Sequence, residues 1–283
     1  MSTMDYIDIG NISVPMVGLG TFSMHGEELQ KVIASAMSMG YRFFDTAYRY
    51  GNEKEIGKFI RNQGNIDNEA PVVLSTKYSG LQYRGQKSRL YLDRTSPKRA
   101  LSNSLHCFHR ECIDMYLLHS PFRGFQMAYE KLLIEKGKGR IKVLGVSGYS
   151  IEQLQIIKDY CGVYPMVNML EIHPYHSSRA LVDFCKENDI RLIARSPFAH
   201  GDIIPLLSAD NDIRNISKEC GKSVPQIILR WIVQQGAIAL TRSKDTNHLQ
   251  ENINVFDFKL TSNDMNVINM KNKDLSFGVV KRG

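Results

Sequence analysis

The chain has 283 residues, of which 43% are hydrophobic and 23% charged, enough apolar material for a large core, and no Pro/Gly/Ser-rich stretch marks a linker, so one domain over 1–283 is expected. Its apolar runs are broken by charge short of the roughly 18 residues that a membrane helix needs, and Met1-Ser2-Thr3-Met4-Asp5 lacks the basic and apolar parts of a signal peptide, which predicts a cytoplasmic protein with no membrane contact. The formal charge of +7 favours anionic ligands, but with neither an RNA-recognition aromatic motif nor a zinc finger it predicts no nucleic-acid partner.

In chain order, Tyr6 to Val14 alternates around Gly10-Asn11 and predicts a β-hairpin ahead of the first long element. Short β-branched or aromatic runs follow near 15–20, 41–46, 72–77, 113–118, 141–146, 165–170, 190–195 and 236–241. Between them, segments such as Gly26 to Met39, Pro97 to His109, Ile151 to Tyr160 and Arg179 to Asn188 carry apolar residues at helical spacing. Strands alternating with helices imply a parallel sheet, and eight repeats in this length have the rhythm of an α/β (β/α)8 TIM barrel with the N-terminal hairpin plugging its bottom. An open doubly wound sheet would place a Gly-rich phosphate turn after its first strand, and Gly18-Leu19-Gly20-Thr21 is too short for that fingerprint.

Five cysteines, Cys107, Cys112, Cys161, Cys185 and Cys220, form no CxxC pair. Cys107 and Cys112 have no histidine or second cysteine pair at metal-ligand spacing, so reduced thiols and no metal are expected. The only tryptophan, Trp231, lies in an apolar helical pattern and reads as packing.

In a barrel, reactive groups sit at the carboxyl ends of strands. Asp45, Lys77 and His119 fall at the ends of the second, third and fourth barrel strands, and Tyr50 follows on the next loop. A free phenol has a pKa of about 10; a nearby ammonium lowers it by stabilising the phenolate. Lys77 is expected to supply that charge, Asp45 to hold the ammonium, and His119 to orient a substrate oxygen, making Tyr50 a general acid.

These residues lie in motifs that resemble the aldo-keto reductases from about Ile12 to Phe258. Gly18-Leu19-Gly20-Thr21, Asp45-Thr46-Ala47 with Tyr50-Gly51-Asn52-Glu53, Ser75-Thr76-Lys77, Leu118-His119, Gly145-Val146-Ser147, Glu171-Ile172-His173-Pro174, Ser196-Pro197 and Glu251-Asn252 occur in the family's order. The resemblance implies that Asp45, Tyr50, Lys77 and His119 form the catalytic tetrad. It also implies reduction of a small-molecule aldehyde or ketone by hydride transfer from NADPH, with NADH as the lesser option and no metal.

The resemblance further implies an extended dinucleotide held by Gly20, Thr21, Ser147, Asn168, Arg195, Ser196, Arg242, Ser243, His248, Glu251 and Asn252. Several positions depart from the family pattern. Gly148 stands where an asparagine is usual, Met169 replaces a glutamine after Asn168, and Asn168 is the residue expected to turn inward and recover an amide contact. Arg195 replaces the tyrosine that stacks on the nicotinamide, a role its planar guanidinium can take. Arg242 and Ser243 match the positions that hold a 2′-phosphate, with His248 where an arginine is usual.

The stretch from Tyr78 to Arg99 carries Arg84, Lys87, Arg89, Arg94, Lys98 and Arg99 against Asp93, which admits an anionic carbonyl substrate. Tyr78, Tyr83, Phe122, Phe125, Tyr149 and Phe198 are candidate pocket aromatics. A monomer is the default expectation, since no heptad repeat is present. Two alternatives are an aldolase forming a Schiff base on Lys77 and a cofactor-binding sensor with little turnover.

Overall fold

The computed structural model describes residues 4–62, 71–80 and 96–277. Strands β1 (Tyr6–Ile9) and β2 (Ile12–Pro15) pair antiparallel, with Ile9 opposite Ile12 across a turn in which Gly10 has φ +59°. Eight parallel strands follow: β3 (Val17–Gly20), β4 (Phe43–Asp45), β5 (Val73–Tyr78), β6 (Ile113–Leu118), β7 (Ile141–Ser147), β8 (Val167–Glu171), β9 (Arg191–Arg195) and β10 (Ile238–Thr241). They close in chain order, β10 pairing with both β9 and β3, so the (β/α)8 barrel expected from the alternation is the fold.

The hairpin lies where the pattern placed it. A Cβ on Gly10 would stand 2.6 Å from Met166 Cε, and Met166 immediately precedes β8 at the amino end of the barrel. The carboxyl ends of the strands therefore face the opposite, open side.

The helices are α1 (Gly26–Ser38), α2 (Glu53–Asn62), α3 (Pro97–Phe108), α4 (Phe125–Gly137), α5 (Ile151–Cys161), α6 (Arg179–Glu187), α7 (Ile203–Ala209), α8 (Asn211–Cys220), α9 (Val224–Gln234), α10 (Thr246–Ile253) and α11 (Ser262–Asn269). Local sequence explains several starts. Ser150 with Gln153, and Ser223 with Gln226, form capping boxes for α5 and α9, and Asp245 accepts from the amides of Asn247 and His248 at the start of α10. Each cap satisfies amides that the helix itself cannot, a contribution of about 1 kcal/mol. Between α2 and α3, a Cβ on Gly57 would stand 2.3 Å from the Cys107 carbonyl oxygen, so only glycine lets these helices approach so closely.

Polar groups at the amino end of the barrel serve the scaffold. Asp114, near the start of β6, accepts from Lys142 Nζ at 2.7 Å, from the Leu74 amide at 3.0 Å and from Arg110. Trp231 is fully buried and donates to Asn269 Oδ1 at 2.9 Å. The five cysteines are free thiols, and among the described residues no helix is long and apolar enough to cross a membrane.

Candidate active site

Strand register brings the expected acid, amine and imidazole together. Asp45 ends β4 opposite Ser75 of β5, Lys77 of β5 stands opposite Leu117 of β6, and His119 follows the end of β6. Lys77 Nζ donates to Asp45 Oδ1 at 2.6 Å, to Asp45 Oδ2 at 2.5 Å and to the Thr46 carbonyl at 2.7 Å, and both charged side chains are buried.

Tyr50 closes a short 3₁₀ turn, Tyr48–Tyr50, that ends because Gly51 adopts φ +72°. Its ring meets the His119 ring edge-on at 5.8 Å and the Phe22 ring at 4.9 Å, and Lys77 Nζ lies 5.7 Å from its centre. Asn52 locks this corner, its Nδ2 donating to the Thr21 carbonyl at 3.0 Å and the Met24 carbonyl at 3.1 Å, and its Oδ1 accepting from Thr46 Oγ1 at 2.5 Å.

The electrostatics correct one expectation. Burial raises the Tyr50 phenol above its ordinary range; the Lys77 ammonium opposes the rise without cancelling it, and the Asp45 carboxylate adds to the rise. Burial likewise pushes the Asp45 carboxyl up against the pull of Lys77. His119 falls to about 3, first through burial and then through the charges of Lys77, Arg49 and Arg195, so its imidazole is neutral at physiological pH. Its Nδ1 lies 3.1 Å from Ser79 Oγ.

A cavity of about 1110 Å³ opens over this corner at the carboxyl end of the barrel. Asp45, Tyr50, Lys77 and His119 lie in its wall with Gly20, Ser147, Arg195, Ser196, Arg242, Ser243, His248, Glu251 and Asn252. Thr21 and Asn168 do not reach it. Thr21 is buried, its hydroxyl donating to the Asp45 carbonyl at 3.1 Å. Asn168 is held by Tyr149, donating to its carbonyl at 2.9 Å and accepting from its amide at 3.4 Å. Successive strand residues face opposite sides, and Met169 is the one that lines the cavity, so Asn168 does not turn inward.

Of the candidate aromatics, Phe198 lines the cavity. Tyr78 packs edge-on against Phe122 at 5.9 Å and Tyr149 against Phe125 at 5.1 Å, outside its wall. Tyr83 and residues 81–95 of the basic stretch lie outside the described residues. The wall also includes Phe22, Arg49 and His200, which the motifs did not single out. The turn after β9 holds Ser196, Ala199 and His200 at positive φ, 52°, 45° and 61°, a conformation costing an L-residue roughly 1–2 kcal/mol.

On Phe22, Arg242 donates to the carbonyl at 3.2 Å, and its guanidinium carbon is 5.9 Å from the ring centre. Ser243 and Asp245 shape the approach to α10, the Asp245 amide donating to Ser243 Oγ at 3.1 Å.

A model of the Aldo/keto reductase family matches residues 16–273. The chain is 33% identical over 273 residues to the 9,11-endoperoxide prostaglandin H2 reductase of Trypanosoma cruzi, covering 95% of this chain and 91% of that one. It is 31% identical over 284 residues to the glyoxal reductase of Bacillus subtilis, covering 98% and 96%. Among solved structures, a mutant of Gox0644 in complex with NADPH is 30% identical with a TM-score of 0.80, the match covering 95% of this chain and 94% of that one.

Proposed function

Since this chain belongs to the aldo/keto reductase family, we propose that it is an NADPH-dependent reductase of a small aldehyde or ketone in which Tyr50 protonates the carbonyl oxygen. The observation that carries the reading is one corner of the cavity, where the Lys77 ammonium is pinned on Asp45 while the rings of Tyr50 and His119 meet edge-on beside it.

The cavity residues fit a dinucleotide by their chemistry. Arg242 and Ser243 bring a guanidinium and a hydroxyl suited to a 2′-phosphate, with His248, Glu251 and Asn252 on the adjoining helix for the adenosine. Ser147, Arg195 and Ser196 also line the wall and would hold a nicotinamide, Arg195 lying within electrostatic reach of Tyr50 and His119. When bound, the reduced nicotinamide supplies the hydride.

The chain's own residues do the rest. Negative charge grows on the carbonyl oxygen as it is reduced, and donors placed in advance stabilise that charge more than the starting carbonyl. With Nδ1 of His119 engaged by Ser79, Nε2 is the ring nitrogen left to address that oxygen. Burial keeps Tyr50 protonated at neutral pH; the alcoholate formed is a far stronger base than a phenolate, so transfer remains downhill. Lys77 offsets the phenolate charge as it develops. The reading includes a monomeric, cytoplasmic protein acting as one domain.

The test is the loss of NADPH absorbance with a panel of aldehydes and ketones, wild type beside Tyr50→Phe. Turnover that falls by about 10²-fold or more in the variant, with NADPH binding retained, is the expected result. A variant that reduces carbonyls at the wild-type rate would sink the assignment of Tyr50.

A further inference from the structure

Resting on the carbonyl-reductase reading, we propose that Ser79 is a positioning residue for the reduction: its hydroxyl donates to His119 Nδ1 and so keeps the ring proton on Nε2, the nitrogen that meets the carbonyl oxygen. Strand register puts the two side chains together. Tyr78 of β5 pairs with Leu118 of β6, and one step further along both chains brings Ser79 beside His119. The His119 amide donates to the Tyr78 carbonyl at 2.8 Å, which carries the pairing past the last ladder residues. Side chains alternate along an extended chain, so Ser79 emerges on the same side as Lys77, whose ammonium is held on Asp45 in the catalytic corner.

The direction of the hydrogen bond follows from what each group has to give. Burial first, and then the neighbouring cations, keep His119 neutral, and a neutral imidazole carries one N–H, so one ring nitrogen donates and the other accepts. Ser79 Oγ lies 3.1 Å from Nδ1, and among the described residues that nitrogen is the one hydrogen-bond partner of the hydroxyl. Were Nδ1 the donor, the hydroxyl hydrogen of a buried serine would be left with nothing to accept it, which costs about as much as a lost hydrogen bond. With the hydroxyl donating, only lone pairs remain over, the less costly omission. The ring proton is therefore placed on Nε2.

That choice matters to the reaction because a carbonyl oxygen gaining negative charge is stabilised by an N–H aimed at it. The other tautomer would turn a lone pair of Nε2 toward the same oxygen and repel the charge as it grows. His119 lines the cavity, whereas Ser79 stands outside its wall, so the serine acts through the imidazole without touching the substrate. Its influence has the size of one neutral hydrogen bond, well short of the loss expected when the proton donor Tyr50 is removed.

The experiment reads the tautomer on the full chain without substrate. Long-range proton–nitrogen NMR correlations at neutral pH tell a protonated ring nitrogen from a bare one, and the signals of His119, one of eight histidines, are the set missing from His119→Asn. Wild type should show a protonated Nε2 and a bare Nδ1. In Ser79→Ala the two nitrogen shifts should move toward each other as the tautomers mix, and kcat/KM on the best carbonyl of the panel should fall about threefold to tenfold with NADPH affinity unchanged. Ser79→Thr, which keeps the hydroxyl, should recover the wild-type shifts and most of the rate. A protonated Nδ1 in wild type, or wild-type shifts or an undiminished rate in Ser79→Ala, overturns the role of Ser79 and leaves the reductase reading standing. If wild type binds NADPH but reduces no carbonyl of the panel, the reductase reading falls and the positioning role with it, whichever nitrogen carries the proton.

Discussion

The Lys77 ammonium gives its three N–H donors to Asp45 Oδ1, Asp45 Oδ2 and the Thr46 carbonyl, and stands 5.7 Å from the centre of the Tyr50 ring. Lys77 therefore influences Tyr50 through space, as a charge fixed in position, and the aspartate decides where that charge sits.

Cutting this pair should separate stability from activity. Removing one partner of a buried ion pair leaves the other charge uncompensated, so Lys77→Met alone is expected to lower unfolding free energy by about 3–5 kcal/mol in urea titrations. Adding Asp45→Leu should recover much of that stability, because an apolar pair packs without a charge to solvate. Turnover should stay lost in the double variant. Recovered turnover would mean that the ion pair serves folding alone.

Acidification should expose the buried histidine. His119 falls to about 3 in the folded chain from an ordinary value of 6.5, so below about pH 6.5 the unfolded chain takes up a proton that the folded chain refuses. Stability then drops as pH falls through the window from about 6.5 to 3, with a slope approaching 1.4 kcal/mol per pH unit from this group. Glu171 adds a second decline. Burial would raise its carboxyl, but His173, the Phe277 amide and Ser276 hold it at about 2, so its contribution is present above its ordinary value of 4.5 and is lost toward pH 2. His119→Asn should flatten the decline between pH 6.5 and 5, measured as urea midpoints at each pH.

Cofactor choice should follow Arg242. Losing its guanidinium removes a charge-assisted contact to a 2′-phosphate, so Arg242→Ala is expected to weaken NADPH binding by about tenfold or more and NADH binding much less. Arg195→Ala, by contrast, should weaken both cofactors alike if the guanidinium stacks on the nicotinamide. Fluorescence titration with each dinucleotide reads both effects; unchanged affinities in Arg195→Ala would remove the stacking role.

Much of this architecture was legible in the chain because its signals are local and repeated. Each short apolar run stops at a turn, and Asp45, Lys77 and His119 lie at or next to three of those stops, where the proposed chemistry sits. Arg49, Phe22 and Ser79 escaped because their placement depends on a three-residue turn, on the loop after β3 and on the last bend of β5, none of which has a periodicity to read. Asn168 shows a different failure. Strand parity allows only one of two adjacent residues to face the cavity, and the larger apolar Met169 takes it, a constraint that motif spacing does not carry. The sign of the Tyr50 shift was hidden for a further reason: it depends on how deeply the ring is buried, a property of the assembled site.

The barrel is closed by one seam, β10 against β3, where Ala239, Leu240 and Thr241 meet Val17, Gly18 and Leu19, and where Thr241 Oγ1 donates to the Gly18 carbonyl at 3.2 Å. During synthesis this seam cannot form until the strand ending at Thr241 has left the ribosome, and until then β3 and β9 are open edges able to pair with another chain. The protein thus depends on its last strand for protection as well as for closure. A nascent chain stalled before Ile238 is the form most exposed to aggregation and most in need of a chaperone.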